Sequence, residues 1–411
     1  TSPVREFLTG LMQGRAQQVS GVHLSSCAFL CAELLRASPA QEPAVLLVDR
    51  ESHARTLHRD LRHYLGRDRA AIELLHLEAH DINPYSEVTP DRGTLRQRMA
   101  GLYRLASDDR APRLTLLSID SLMRRVLPKA SLLAGSHKID VGDEIDRDQL
   151  AEELVAAGYM NSPLVEEAGQ FSVRGSVVDL FVPLYRFPLR IELFGDEVES
   201  IRHFDPDKQR TLRTLDTARI HPVRETALTD RARLRERIFA AADDATHPSK
   251  ATRQLLDRIE EGGEFVGIET LSPAFHEQLD SLFDYLPSLE DGRWLLLEPG
   301  LIQRQLDDTW EQANERYQER IDSQRIAFAP GEHYLSPADL GTLWSDQHTT
   351  VLQALQEHAP LSERRPLHIT TDDNIGLRGQ LERKRKTRSE VDFERVHPAN
   401  FSDNEPFELS V

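Results

Sequence analysis

Apolar residues early in the chain fall in short unbroken blocks separated by amphipathic stretches. Ala44–Val48 (AVLLV) is continuously apolar, the pattern of a strand buried on both faces of a parallel sheet. Arg113–Ser118 (RLTLLS) repeats it, and Leu74–Leu77 is a third candidate strand. Between them, Glu51–Leu65 places Leu57, Leu61 and Leu65 at four-residue spacing and predicts a helix, as does Thr94–Leu105. Thr1–Ala16 predicts a short helix and Val19–Leu24 a strand or loop entry. Ser25–Arg36 then reads as a helix with Ser25 or Ser26 as its cap. Strands alternating with helices define an α/β unit built on a parallel sheet.

The period then changes from helical to two. After a predicted helix at Asp146–Ala157, capped by Asp146 and stopped by Gly158, the stretch Ala168 to Arg210 reads as three strands: Phe171–Val173, Val177–Phe181 and Leu189–Phe194. In the last, Leu189, Ile191 and Leu193 alternate with Arg190, Glu192 and Phe194, so one face is apolar. The other carries an arginine, a carboxylate and a phenylalanine. Aromatic plus arginine is the chemistry of interface anchors. Alternation alone leaves open that Phe194 is covered by the chain's own loops.

Ile220 to Glu311 returns to α/β character. Helices are expected at Asp230–Ala242 and Ala251–Glu261, a buried stretch at Phe265–Glu269, and a strand at Trp294–Leu297. Leu301–Gln324 reads as a long polar helix. Beyond it, Val351–His358 reads as a helix and Leu367–Thr370 as a strand that could open a further unit, whereas Asn400 to Val411 looks weakly structured.

Length and charge narrow the classes. At 411 residues the chain needs more than one core, roughly two to four domains. A net charge of −18 argues against a nonspecific nucleic-acid binder, since phosphate neutralisation needs surplus Lys and Arg. The one basic run, Arg378 to Arg388, reads as a solvated helix or linker ahead of a nucleic-acid contact. Cys27 and Cys31 read as buried small hydrophobes, and the lack of a disulfide framework suits the cytoplasm. No targeting segment or membrane span is visible, and the first residue, Thr1, suggests processing or trimming.

The candidate chemistry is mostly missing. An α/β unit of this kind invites a search for the phosphate loop G-x-x-x-x-G-K-[ST], whose glycines let backbone amides cradle phosphate. That place reads Ser20-Gly21-Val22-His23-Leu24-Ser25-Ser26-Cys27, with one glycine and no lysine. Asp49 at a strand end superficially resembles a magnesium-binding aspartate, although isolated aspartates after strands are common. His53, His58 and His63 share a predicted helix, but five-residue steps put them on different faces. No nucleophile elbow, metalloprotease motif or dinucleotide loop is present. The sequence argues for binding rather than catalysis, with no cofactor.

The order of residues in the middle of the chain adds a specific expectation. F-x-V-R-G-x-V-V-D-L-F at Phe171–Phe181, then L-R-I-E-L-F-G-D-E-V-E-S-I-x-x-F-D at Leu189–Asp205, resembles the domain shared by the excision-repair protein UvrB and the transcription-repair coupling factors. Asn83-Pro84-Tyr85-Ser86, Ser121–Pro128, Gly267-Ile268-Glu269 and Leu282–Pro287 also resemble segments of that family. UvrB would carry a long tyrosine-rich hairpin between the first two of these; here the gap is short and adds only Tyr103 to Tyr85, which favours the coupling factors.

The resemblance implies a degenerate P-loop-type parallel-sheet domain, RecA-like, interrupted by a smaller α/β sheet domain like the second domain of UvrB. The expected division is 1–128 and 214–328 for the two parts of the larger domain, 129–213 for the UvrA-binding insertion, and 329–411 for a linker and the start of a further small domain. It further implies a non-catalytic module that recruits UvrA, with Arg174, Arg190 and Phe194 as contact residues. RNA polymerase and DNA would be engaged through a motor outside this chain. The rival expectations are a UvrB-like ATP-dependent helicase that verifies damage, and an unrelated scaffold reusing the docking domain.

Overall fold

The computed structural model describes residues 3–368, apart from 13–16, 38–41, 71, 89, 108–111, 227–229, 261–264, 289–291, 346–348 and 355–364. The basic run at 378–388 and the segment 400–411 lie outside the described residues. The chain starts with α1 (Pro3–Met12), β1 (Gln17–Ser20), α2 (Leu24–Ala37), β2 (Ala44–Val48), α3 (Glu51–Leu65), β3 (Leu74–His76), α4 (Arg92–Ala106) and β4 (Leu114–Ser118). β5 (His137–Asp140) then leads into an inserted domain containing β6 (Met160–Asn161), β7 (Gln170–Arg174), β8 (Val177–Leu180), β9 (Leu189–Phe194), β10 (Glu197–Phe204) and β11 (Thr211–Leu215). β12 (Thr217–Ile220) leads out, and β13 (Arg293–Leu297), β14 (Thr349–Gln353) and β15 (Arg365–His368) follow.

The large sheet runs β15-β1-β14-β13-β2-β4-β3, every pair parallel. Its central strands are apolar on both sides because both sides are covered. Leu46 and Val48 join Leu30, Leu34, Leu57 and Leu61 of α2 and α3 in one core. Val45 and Leu47 join Met99 and Leu102 of α4, Trp294, and Ile302 and Leu306 of the helix Pro299–Asp322 in the other. Each such buried side chain contributes roughly 1.5–3 kcal/mol.

Three expectations are corrected. Val351–His358 does not open as a helix: β14 occupies Thr349–Gln353, all five residues buried. A short apolar run bounded by polar residues has no period long enough to separate strand from helix, and β-branched Thr349, Thr350 and Val351 favour the strand. With β14 between β1 and β13, and β15 on the far side of β1, the described strands after residue 329 join the first sheet. At α2 neither serine precedes the helix. Ser26 lies inside the first turn, where its hydroxyl accepts the His23 N–H at 2.9 Å. The Phe265–Glu269 stretch is only partly buried, with Val266 54% exposed.

The chain enters and leaves the insertion through β5 and β12, which pair antiparallel as a two-stranded stalk with Ile139, Ala218 and Ile220 buried in the insertion's own core. It therefore starts and ends later than 129–213. The helix Lys129–Ala134 buries Leu132 in the large domain's core, and Thr217–Ile220 belongs to the stalk. A polar clasp fixes the base. Tyr159 donates its hydroxyl to the His221 carbonyl at 2.9 Å, and the Tyr103 and His221 rings stack with centroids 5.2 Å apart. Just beyond, Arg98, buried to 1%, donates Nε–H to Glu225 Oε1 at 3.2 Å, and His80 Nε2 stands 3.1 Å from the same oxygen. Burial alone would raise the Glu225 carboxyl, but His80, Arg98 and Arg124 outweigh it and hold it down at about 2.

Candidate functional site

The six-stranded sheet of the insertion, β11-β10-β9-β8-β7-β6, has one face on the core. Leu189, Ile191 and Leu193 of β9 are buried together with Val178 and Leu180 of β8 and with Leu150 and Leu154 of the helix Arg147–Ala156. That helix is capped by Asp146, whose carboxylate accepts the Asp148 and Gln149 amides. The register expected from alternation is the one observed. Gly175 and Gly195, in the turns after β7 and β9, have φ of 59° and 66°, which glycine adopts without a Cβ clash.

The opposite face carries the candidate residues in cross-strand rows. Arg174 pairs with Val177, and Val177 with Glu192; in the next row Ser172 pairs with Asp179, and Asp179 with Arg190. Phe194 lies two residues beyond Glu192 and is 77% exposed, so no loop among the described residues covers it. Strand spacing places the Arg174 and Phe194 backbones about 12 Å apart, within one interface patch.

Asp179 organises this face. Its side chain is 1% exposed, and Arg190 clamps it with Nε–H to Oδ1 at 2.6 Å and Nη2–H to Oδ2 at 2.8 Å. Arg174 donates Nη2–H to Oδ2 at 2.5 Å. The Arg190 guanidinium also lies 4.4 Å from the centre of the Phe204 ring and donates to Gln209. Two parallel hydrogen bonds and a stacked ring leave Arg190 little freedom. The bond to Asp179 raises the Arg190 pKa, against the smaller opposing effect of its burial. Arg174 is half-exposed, its side chain at 51%, and Arg190 is mostly covered at 19%. Glu192 is tied to Arg202 and accepts from Ser200 at 3.2 Å.

The structure thus brings the three candidates onto one face but pairs both arginines internally, which the sequence reading missed. The signal was available: in Val177-Val178-Asp179-Leu180 the alternation that buries Val178 and Leu180 puts Asp179 on the arginine side.

At the place of a phosphate loop, backbone donors are engaged within the chain. Gly21 N–H donates to the Ala354 carbonyl at 3.2 Å and Val22 N–H to that of Gln353 at 3.0 Å. The Glu298 carboxylate, at the end of β13, accepts the Ala354 amide at 2.5 Å. Asp49 accepts Arg50 Nε–H at 2.8 Å and lies 2.5 Å from His53 Nδ1. His53, His58 and His63 have separate surroundings: Asp49, the His76 ring and the Tyr64 ring.

Residues 138–225 match the UvrB interaction domain family, from the first stalk strand to the Glu225 clasp. The fold is thus a parallel α/β domain interrupted by a UvrB interaction domain. Along its length the chain is similar to the transcription-repair-coupling factor of Myxococcus xanthus, with 36% identity over 92% of this chain and 32% of that protein. The corresponding factor of Escherichia coli K12 is 27% identical over 77% of this chain and 26% of its own length; that of Bacillus subtilis is 30% identical over 72% and 25%. These matches place the chain with the N-terminal region of the transcription-repair coupling factors. It spans about a third or less of the length of these relatives. Among the described residues, no helix is long and apolar enough to cross a membrane.

Proposed function

We propose that this chain is the UvrA-recruiting module of a factor that couples transcription to nucleotide excision repair in the cytoplasm. It performs no catalysis itself, and RNA polymerase and DNA are engaged by other parts of the full-length factor. The observation that carries this reading is Phe194. A phenylalanine 77% exposed beside a fixed arginine lattice, on a domain of the UvrB interaction family, is the make-up of a docking anchor. Phe194 supplies area that loses water on contact. Arg174 keeps donors toward solvent, and Asp179 holds Arg190 in a single orientation, so little entropy is lost on binding.

Paired substitutions test it. Phe194→Ala is expected to weaken UvrA binding by about 1–4 kcal/mol with an unchanged melting temperature. Its neighbour Leu193→Ala is expected to cost about 2–5 kcal/mol of stability through a core cavity. UvrA binding of Phe194→Ala equal to that of the parent, measured by calorimetry, would refute the docking face. Catalytic inactivity is tested separately. Millimolar ATP with magnesium is expected to leave the melting temperature unchanged, because stabilisation requires binding to the native state. A concentration-dependent rise would reveal a nucleotide site and favour the helicase alternative.

A further inference from the structure

At the edge of the large sheet, far along the chain from the docking face, α3 and the end of β3 bring together Glu51, His76 and Glu78. We propose that these three residues form a binding site for a divalent transition-metal cation of the zinc type. One ligand atom from each lies within 4.8 Å of the others. Ligand atoms on a tetrahedral zinc at 2.0–2.2 Å stand roughly 3.4 Å apart, so Glu51 Oε1, 2.8 Å from His76 Nε2, is already near enough and Glu78 must close in.

The polar groups there are arranged as a ligand shell is. The His76 side chain is 7% exposed, and its Nε2 stands 2.8 Å from Glu51 Oε1 without the alignment of a hydrogen bond. The two atoms stand at ion-pair distance without hydrogen-bond geometry, an arrangement of polar groups that a shared cation would improve. The other oxygen of Glu51 is held in place: Oε2 accepts the Ala79 N–H at 3.1 Å and the Ser118 hydroxyl at 3.3 Å, which turns Oε1 toward His76. Glu78 Oε1 lies 3.8 Å from the other ring nitrogen, Nδ1, so its side chain must turn to ligate beside Nε2, and the Glu78 carbonyl is anchored by Arg98 Nη1–H at 2.8 Å. Such outer-shell bonds are what orient metal ligands. One imidazole with two carboxylates suits zinc or cobalt, whereas magnesium and calcium prefer an all-oxygen shell.

One cation already faces the carboxylates. Arg55 Nε is 3.4 Å from Glu51 Oε1 and Nη2 is 3.6 Å from Glu78 Oε2, both long for ion pairs. Its side chain is 57% exposed, so it can swing into water and leave an entry path. Arg55 is thus a competitor for the metal, which sets the sign of one test.

The test titrates the whole chain, stripped with chelator, with Co2+ followed by visible absorption and with Zn2+ followed by calorimetry. A single equivalent is expected to bind, with magnesium unable to displace it. His76→Gln and Glu78→Gln are each expected to weaken binding about tenfold or more, the scale on which even outer-shell partners matter. Arg55→Ala is expected to tighten it. Should either glutamine variant unfold, the other and Arg55→Ala still decide. Absence of binding by the parent protein, the same affinity in the folded glutamine variants, or no gain in Arg55→Ala would each overturn the site.

Discussion

Asp179→Ala is expected to lower stability by about 3 kcal/mol and to weaken UvrA docking in protein that remains folded. Removing one partner of a buried ion pair costs about 3–5 kcal/mol, because the remaining charge is left uncompensated. The low end applies because Arg190 keeps 19% of its side chain in solvent and Arg174 keeps 51%. The binding effect has a different origin. Without Asp179 the guanidinium of Arg190 loses both parallel hydrogen bonds, and Arg174 loses its only described ion pair. Both side chains then regain rotamers that docking must freeze again, at about 0.5–1.5 kcal/mol each. Urea denaturation and UvrA titration on the same preparation read the two effects apart. An unchanged denaturation midpoint would show that Asp179 does not hold this face together.

Acid is expected to unfold the chain earlier than titration of its carboxylates would. His80 and His221 are buried, and burial, the largest cause for both, holds each at about 4 in the folded protein. The unfolded chain therefore binds protons between about pH 6.5 and 4 that the folded chain refuses, so stability falls as pH drops through that window. Each such histidine removes about 1.4 kcal/mol per pH unit there, and burial also lowers His58, to about 3, and His333, so the slope exceeds that of His80 and His221 alone. Glu225 acts lower down. Its folded pKa of about 2 lies below the unfolded carboxyl value, so its contribution is complete above about pH 4.5 and is lost on the way down to about 2. Denaturation midpoints from neutral pH down to about 5 measure the slope. His221→Gln is expected to lower the slope by about 1.4 kcal/mol per pH unit, whatever its effect on the midpoint at neutral pH, and a slope equal to the parent's would remove His221 from the account.

The sequence revealed most where a period was long or a strand was continuously apolar. Ala44–Val48 and Glu51–Leu65 have the observed boundaries, and the Leu189–Phe194 alternation has the observed register. It revealed least where structure depends on distant partners. Val351–His358 reads as a helix, yet Thr349–Gln353 is β14, whose place between β1 and β13 is set by pairings remote in the chain. The same holds for Asp179, which makes sense only once β7 and β9 flank it, and for the Arg98–Glu225 bond between residues 127 positions apart. Of the histidines singled out on α3, none shares a metal geometry with the others. The proposed cation site takes its histidine, His76, from the neighbouring strand.

The two-stranded stalk has a mechanical consequence. A domain tethered by a single linker can swivel about one bond, and its cargo faces any direction. Here the chain passes through two strands side by side, so twisting one must drag the other. A pull on the docking face divides between two covalent tethers and loads none of the hydrogen bonds joining them. The lateral contacts that oppose a tilt of the insertion include those of Tyr159, Tyr103, His221 and the Arg98–Glu225 pair.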